Sequence, residues 1–106
     1  MKRRSKYGNV KTVVDGHTFD SKREARRYGE LLLLLKAREI FDLTLQPAFP
    51  CEVNGKFVCS YLADFMYRKR GGMIYTVEDV KGVRTALYRL KKKLVFACHR
   101  IEIQEV

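Results

Sequence analysis

Asp64, Asp79 and Lys81 are the residues whose types and spacing could do chemistry together. Gly71 and Gly72 mark a turn between two β-prone runs. With these two as the loop, Arg70 pairs with Met73, and counting back along both strands sets Asp64 opposite Asp79. Directly opposed residues on one face have Cβ atoms about 4.5–5.5 Å apart. Two carboxylates so placed repel, which a purely structural sheet avoids. A divalent cation between them converts the repulsion into binding. Side chains alternate along a strand, so Asp79 and Lys81 share one face while Glu78 and Val80 point to the other. That singles out Asp79 rather than Glu78 as the ligand. A one-residue slip in register undoes the arrangement. A competing reading leaves Asp79 and Lys81 as a solvent-facing ion pair on an exposed strand.

The elements that must carry these residues follow from pattern. Residues 1–8 read as a basic tail and 9–20 as a hairpin arm, in which Val10-Lys-Thr-Val-Val14 and His17-Thr-Phe19 flank Asp15-Gly16. Ser21 is a good N-cap for a helix to about Arg38, with Ala25, Tyr28, Leu31, Leu32 and Leu35 at helical spacing. Its five consecutive leucines leave apolar surface on more than one side, which suits a subunit contact. Three strands are expected next. Gln46 to Val53 is interrupted by Pro47 and Pro50 and so reads as an edge. Lys56 to Arg70 follows the Asn54-Gly55 turn, and Met73 to Lys81 follows Gly71-Gly72. A helix from about Thr85 to Cys98 presents Leu87, Leu90, Leu94 and Ala97 on one face. Ile101-Glu-Ile-Gln-Glu105 alternates as a last strand. The helical crossover makes that strand parallel to the Met73–Lys81 strand, with a right-handed connection. The expected order is hairpin, α, β, β, β, α, β: an α/β fold with a small mixed sheet flanked by helices.

Composition bounds the partners. The chain has 106 residues and a net charge of +10, from 22 Lys and Arg against 12 Asp and Glu. One domain fills that length. An excess this large points to a polyanionic partner, nucleic acid first. An acidic protein or lipid surface is the bland alternative. No apolar run is long enough to span a bilayer, the longest being Leu31 to Leu35. Met1 to Lys6 has no apolar stretch behind it, unlike a secretory signal. Cys51, Cys59 and Cys98 form no CxxC pair, and His17 and His99 stand apart from them, so zinc-ligand spacing is absent. An odd cysteine count without a secretion signal suits reduced thiols in the cytoplasm. All three thiols read as core or half-buried. No Ser-His-Asp arrangement, phosphate-binding loop or dinucleotide motif offers a rival enzyme class or a small-molecule cofactor.

Ala63-Asp64-Phe65 followed by Glu78-Asp79-Val80-Lys81-Gly82 on the next strand resembles the PD-(D/E)XK nuclease signature. Asp64 matches the first acid, Asp79-Val80-Lys81 the acid-x-Lys element, and Glu24 the acid many members carry on their first helix. Ala63 replaces the proline of the family's name. The resemblance spans about Ser21 to Ile103. It implies a restriction-endonuclease-like α-β-β-β-α-β core within residues 21–106, preceded here by the N-terminal β-hairpin. More narrowly, Tyr7-Gly-Asn, Phe19-Asp-Ser-Lys-Arg-Glu-Ala, Leu45-Gln-Pro and Val77-Glu-Asp-Val-Lys-Gly resemble small phage and prophage proteins similar to Holliday junction resolvases. That similarity implies a homodimer acting on branched DNA in the cytoplasm of a bacterial host.

If the resemblance holds, Asp64 and Asp79 bind Mg²⁺, with Mn²⁺ able to substitute. The Val80 backbone carbonyl and Glu24 are further candidate ligands. Lys81 orients the attacking water or offsets transition-state charge. Gln46 supports the site. Glu24 has a second reading, because Ser21-Lys-Arg-Glu24 is also a capping box. Tyr28 and Tyr88 read as packing residues. Phosphate contacts are expected from Lys2, Arg3, Arg4, Lys6, Lys22, Arg23, Arg26, Arg27, Arg84, Arg89, Lys91 and Lys92. With no recognition-helix motif, DNA shape rather than base sequence is the expected readout. Two rivals stay open: a noncatalytic basic DNA-binding module that keeps the fold, and an RNA-binding factor, which explains the charge but not Asp64 facing Asp79.

Overall fold

The structure is a computed structural model that describes residues 12–14, 16–19, 21–80 and 84–106. The basic tail, Asp15, Asp20 and the Lys81-Gly82-Val83 segment lie outside the described residues. The chain divides into two compact units, Met1–Ile40 and Phe41–Val106.

In the first unit, β1 (Thr12–Val14) and β2 (His17–Phe19) form an antiparallel hairpin in which Val14 pairs with His17. Gly16 takes the positive φ of 79° that the tight turn requires. Helix α1 (Lys22–Lys36) starts at Ser21, whose hydroxyl accepts the Glu24 N–H at 3.1 Å. Glu24, Ala25, Tyr28 and Leu31 form its buried stripe, while Leu33 is exposed. The Tyr28 ring packs on His17 and Phe19, which ties the hairpin to the helix. The helix stops short of the expected Arg38. That residue turns left-handed at φ 60°, and the Arg38 and Glu39 N–H groups fold back onto the carbonyls of Leu35 and Leu34. Left-handed backbone costs a non-glycine residue about 1–2 kcal/mol. Satisfying two orphan helix carbonyls offsets it.

The remaining elements are β3 (Ile40–Leu45), β4 (Ala48–Val53), β5 (Lys56–Leu62), β6 (Phe65–Lys69), β7 (Tyr75–Asp79), α2 (Ala86–His99) and β8 (Ile103–Glu105). The architecture is α/β. A mixed four-stranded sheet has the order β3-β6-β7-β8, and β4 and β5 form a separate antiparallel ribbon. β6 and β7 are antiparallel, and β7 and β8 are parallel, as a helical crossover leads one to expect.

Three expectations need correction. Strand β3 was not anticipated, although Phe41, Leu43 and Leu45 alternate with Asp42 and Thr44 in the period of a strand; Asp42 within it sits at φ 56°. Arg68 holds it to β6 by a 3.4 Å ion pair with Asp42 and by lying over the Phe41 ring. The run from Lys56 to Arg70 is two strands, not one. At Ala63-Asp64 the chain leaves the ribbon for the main sheet, opposite Gln46-Pro47, where Gln46 takes φ 50° and Pro47 lacks an N–H. Backbone bonds from Ala63 N to Pro47 O and from Gln46 N to Asp64 O fasten the two crossing points together.

The buried face of α2 is the third correction. Leu87 and Leu90 are more than half exposed, and the buried residues are Tyr88 and Val95. Those two lie one heptad apart and join Cys51, Tyr61, Ala63, Val77 and Ile103 in one core, with Leu94 and Cys98 packed against it. The helix turns Tyr88 rather than Leu87 and Leu90 inward because the phenol finds an acceptor in the half-buried Glu105 (below). Thr85 caps the helix start by accepting the Tyr88 N–H, and Arg100 ends it at φ 59°.

Candidate functional site

Asp64 and Asp79 meet at the open end of the β6–β7 hairpin. The ladder pairs Phe65 with Glu78, Met66 with Val77, Tyr67 with Thr76 and Arg68 with Tyr75. One step further, the Asp64 N–H donates to the Glu78 carbonyl at 3.1 Å. This is the register read from the sequence. The loop is wider than two residues, but its extra residues fall equally on both strands, so nothing slips. The Asp64 N–H also approaches Asp79 Oδ1 at 3.0 Å, and Asp64 Oδ2 accepts the Val80 N–H at 2.7 Å. Each carboxylate is thus held by backbone of the opposite strand.

Asp79 is fully buried and Asp64 half-buried. Burying a lone carboxylate costs several kcal/mol, so the backbone donors matter here. A carboxylate has about four lone-pair sites, and one N–H bond fixes its direction without exhausting it.

Glu78 serves the opposite face. The Tyr67 hydroxyl donates to its carboxylate, and both residues are buried. Alternation thus separates the two adjacent acids, Glu78 and Asp79, as the strand period requires.

Sequence reasoning missed a third acid. Strand β8 pairs Asp79 with Glu105, so Asp64, Asp79 and Glu105 form a row across three neighbouring strands. The signal was present. Glu105 lies two residues beyond the buried Ile103, at an inward position where an acid needs a partner. Glu105 accepts from Arg84 Nε at 2.7 Å and from the Tyr88 hydroxyl at 2.7 Å, and pairs with Lys92 at 3.5 Å. The Arg84 bond first, then the Tyr88 bond, hold its carboxyl down at about 2. Burial, then the Glu105 bond, pushes the Tyr88 phenol up. The same carboxylate raises the Arg84 guanidinium. Tyr88, expected only to pack, also links α2 to the acid row.

Gln46 is brought to the site. Its N–H donates to the Asp64 carbonyl at 2.9 Å, and the residue is exposed. Val80 is adjacent through its bond to Asp64. Glu24 lies in the first unit, buried at the first turn of α1, with its N–H on the Ser21 cap. Lys81 is outside the described residues, as are Lys2, Arg3, Arg4 and Lys6. Among the described residues, no three His, Cys, Asp or Glu side chains converge closely enough to hold an ion. The donor set in place is a pair of hard oxygen ligands.

Of the expected phosphate contacts, Arg84, Arg89 and Lys92 come together with Lys93 along an open groove of about 640 Å³ between α2 and β8. Phe96, Ile101, Glu102 and Glu105 complete much of its wall. Arg84 and Lys92 are engaged with Glu105, whereas Arg27 pairs with Glu30 on α1 at 3.1 Å. Among the described residues, no helix is long and apolar enough to cross a membrane.

A two-acid site at the end of a small mixed α/β sheet is therefore the class of protein that fold and geometry define. The chain belongs to the family described as protein of unknown function (DUF1064), which matches residues 4–105. No curated protein and no solved structure matches it.

Proposed function

We propose that this chain is a Mg²⁺-dependent endodeoxyribonuclease that hydrolyses phosphodiester bonds in branched DNA, Holliday junctions among them. In this reading it acts as a homodimer in phage DNA processing within the cytoplasm of a bacterial host. The observation that carries the proposal is the opposition of Asp64 and Asp79 across β6 and β7, in the register the chemistry demands. The element order supports it. With the β4–β5 ribbon set aside as an insertion, α1, β3, β6, β7, α2 and β8 run in the α-β-β-β-α-β order of a restriction-endonuclease-like core. The net charge of +10 supports a polyanionic substrate.

The residues present fit a hard divalent cation, because two carboxylates from neighbouring strands share one face beside the Val80 peptide. Asp64 and Asp79 would hold Mg²⁺ or Mn²⁺, with the Val80 carbonyl as a further ligand. When bound, such an ion supplies Lewis acidity toward a phosphate oxygen. Lys81, two residues beyond Asp79, would carry its ammonium to the same face and offset charge developing on the phosphate. Gln46, fastened to Asp64 through the backbone, would orient the scissile strand. Arg89, Lys91 and Lys92 on the second unit would hold phosphates and read shape, as would Lys22, Arg23, Arg26 and Arg27 on α1, while Arg84 is committed to Glu105.

A noncatalytic DNA-binding module is the second reading. It has two observations in its favour: each aspartate already accepts a backbone N–H, and no three-ligand cluster forms among the described residues. One experiment separates the two readings. Purified protein is incubated with Mg²⁺ and a four-way junction, a flap, a linear duplex and a single strand, and cleavage and binding are scored side by side. Junction cleavage that chelation abolishes is the expected result. Binding with every substrate left intact would leave only the noncatalytic module.

A further inference from the structure

The three cysteines stand far apart in the chain, yet they come from three elements into one place. Cys51 on β4 is directly opposite Cys59 on β5. Cys51 is fully buried, and Cys59 and Cys98 pack against the same core. Cys98, in the last turn of α2, donates its thiol to the Glu52 carbonyl at 3.4 Å, and the neighbouring His99 ring contacts the Pro50 carbonyl. The end of α2 therefore lies across β4 on both sides of Cys51. All three thiols are reduced.

Directly opposed residues on antiparallel strands have Cα atoms about 4.5 or 5.5 Å apart, depending on the pair type. Both spacings fall inside the roughly 4.4–6.8 Å that a disulfide spans. Cys51 and Cys59 thus meet the distance requirement without backbone movement, and both side chains turn toward the same core. Cys98 also reaches Cys51, and the sulfurs of both are directed at backbone carbonyls of β4, Cys98 at Glu52 and Cys51 at Phe49. What sets Cys51 and Cys59 apart is the cross-strand pairing that fixes their spacing, whereas Cys98 comes from the end of a helix.

We propose that Cys51 and Cys59 form an oxidisable dithiol, a covalent modification site for low-molecular-weight disulfides, with Cys98 left as a thiol. The proposal is independent of the nuclease reading.

The half-buried Cys59 is the residue an incoming disulfide can reach. Its thiol loses a proton, and the thiolate attacks one sulfur of the reagent, forming a mixed disulfide and releasing one small thiolate. Cys51 is a poor first nucleophile, since burial and then the neighbouring Cys59 and Cys98 thiols push it up to about 11. It instead attacks the Cys59 sulfur from within the core as its proton passes to the released thiolate, and the second small thiolate leaves. Two protein S–H bonds become one S–S bond, and one small disulfide is reduced to two thiols. The new bond lies beside the register shift between Cys51 and Glu52, so it pins the irregular end of the ribbon beneath α2.

The test uses the intact wild-type chain and excess glutathione disulfide at neutral pH, read by thiol titration and by mass spectrometry of peptides digested after trapping. The total thiol count, titrated in denaturant after acid quenching, is expected to fall from three to one. The expected link joins Cys51 to Cys59 within one chain, with Cys98 alkylated by the trapping reagent. Persistence of all three thiols, a glutathione adduct that never resolves, or a link to Cys98 would each overturn the proposal.

Discussion

Asp79 and Glu105 are paired at the ends of the parallel strands β7 and β8, yet their surroundings differ in kind. Asp79 is fully buried and accepts a backbone N–H from Asp64. Glu105 is gripped by Arg84, Tyr88 and Lys92. The acid row therefore has two halves. Two aspartates face each other, and a glutamate whose charge is already balanced fastens α2 to the sheet.

That division makes Glu105→Gln a stability variant rather than a metal-site variant. The Glu105 carboxyl lies at about 2 in the fold, against an ordinary 4.5. A depressed carboxyl contributes stability that is present above its unfolded value and lost as pH falls toward the folded one. Glu105→Gln should thus be less stable than wild type at pH 7, and the difference should close as pH drops from about 4.5 toward about 2. Urea midpoints across that range measure it. A gap that stays constant with pH would show that the Glu105 charge is not what matters.

Asp79→Asn should lower cleavage about 100-fold or more, the order lost when one preorganised electrostatic group is removed from a dry site. DNA binding should hold or tighten, because a negative charge near a polyanion is gone. Parallel cleavage and mobility-shift assays on one junction check both. Wild-type turnover in the variant would take Asp79 out of the mechanism.

Much of this site was legible because strand geometry is strict. A period of two and a turn at Gly71-Gly72 sufficed to set Asp64 opposite Asp79, and the ladder has that register. Ser21 was equally readable as a cap, since a hydroxyl before a periodic run has a specific backbone donor to satisfy, and Thr85, expected only at about the start of the second helix, caps it in the same way. What escaped depended on tertiary partners. Strand β3 is the exception, since Phe41, Leu43 and Leu45 alternate with Asp42 and Thr44 and the strand signal was present in the sequence. Leucine spacing on α2 suggested one buried face, but Tyr88 went inward because Glu105 was there to receive its hydroxyl. The split of the Lys56–Arg70 run required knowing that Gln46-Pro47 would lie beside Ala63-Asp64. Neither of these last two is a local property.

Tyr67→Phe tests which of the two neighbouring acids is chemical. The variant loses the phenol that donates to buried Glu78 on the far face of the sheet. Removing a donor from a buried acceptor costs about 1–3 kcal/mol, so the denaturant midpoint should fall accordingly. Cleavage per folded molecule should stay at the wild-type level. A large loss of turnover at full folding would return Glu78 to the mechanism.

Lys81→Ala should reduce turnover on the order of 10²–10³-fold if its ammonium offsets transition-state charge. The circular dichroism spectrum and melting temperature should match wild type, and Lys81→Arg should restore part of the rate. A variant that melts before it loses activity would mark Lys81 as structural.

Arg84 and Arg89 line the same groove but should respond differently to truncation. Arg84 is committed to Glu105 at 2.7 Å, whereas no ion pair to Arg89 forms among the described residues. Each phosphate contact releases condensed counterions, so losing one should lower the slope of log affinity against log salt by about 0.9 on duplex DNA. Arg89→Ala should show that drop with little change in stability. Arg84→Ala should instead destabilise the fold, because it leaves Glu105 without its principal donor, and should change the salt slope less. Anisotropy titrations of a fluorescent duplex over a range of salt, paired with urea midpoints, distinguish the two. Equal slope changes for both arginines would mean that Glu105 does not hold Arg84 away from DNA.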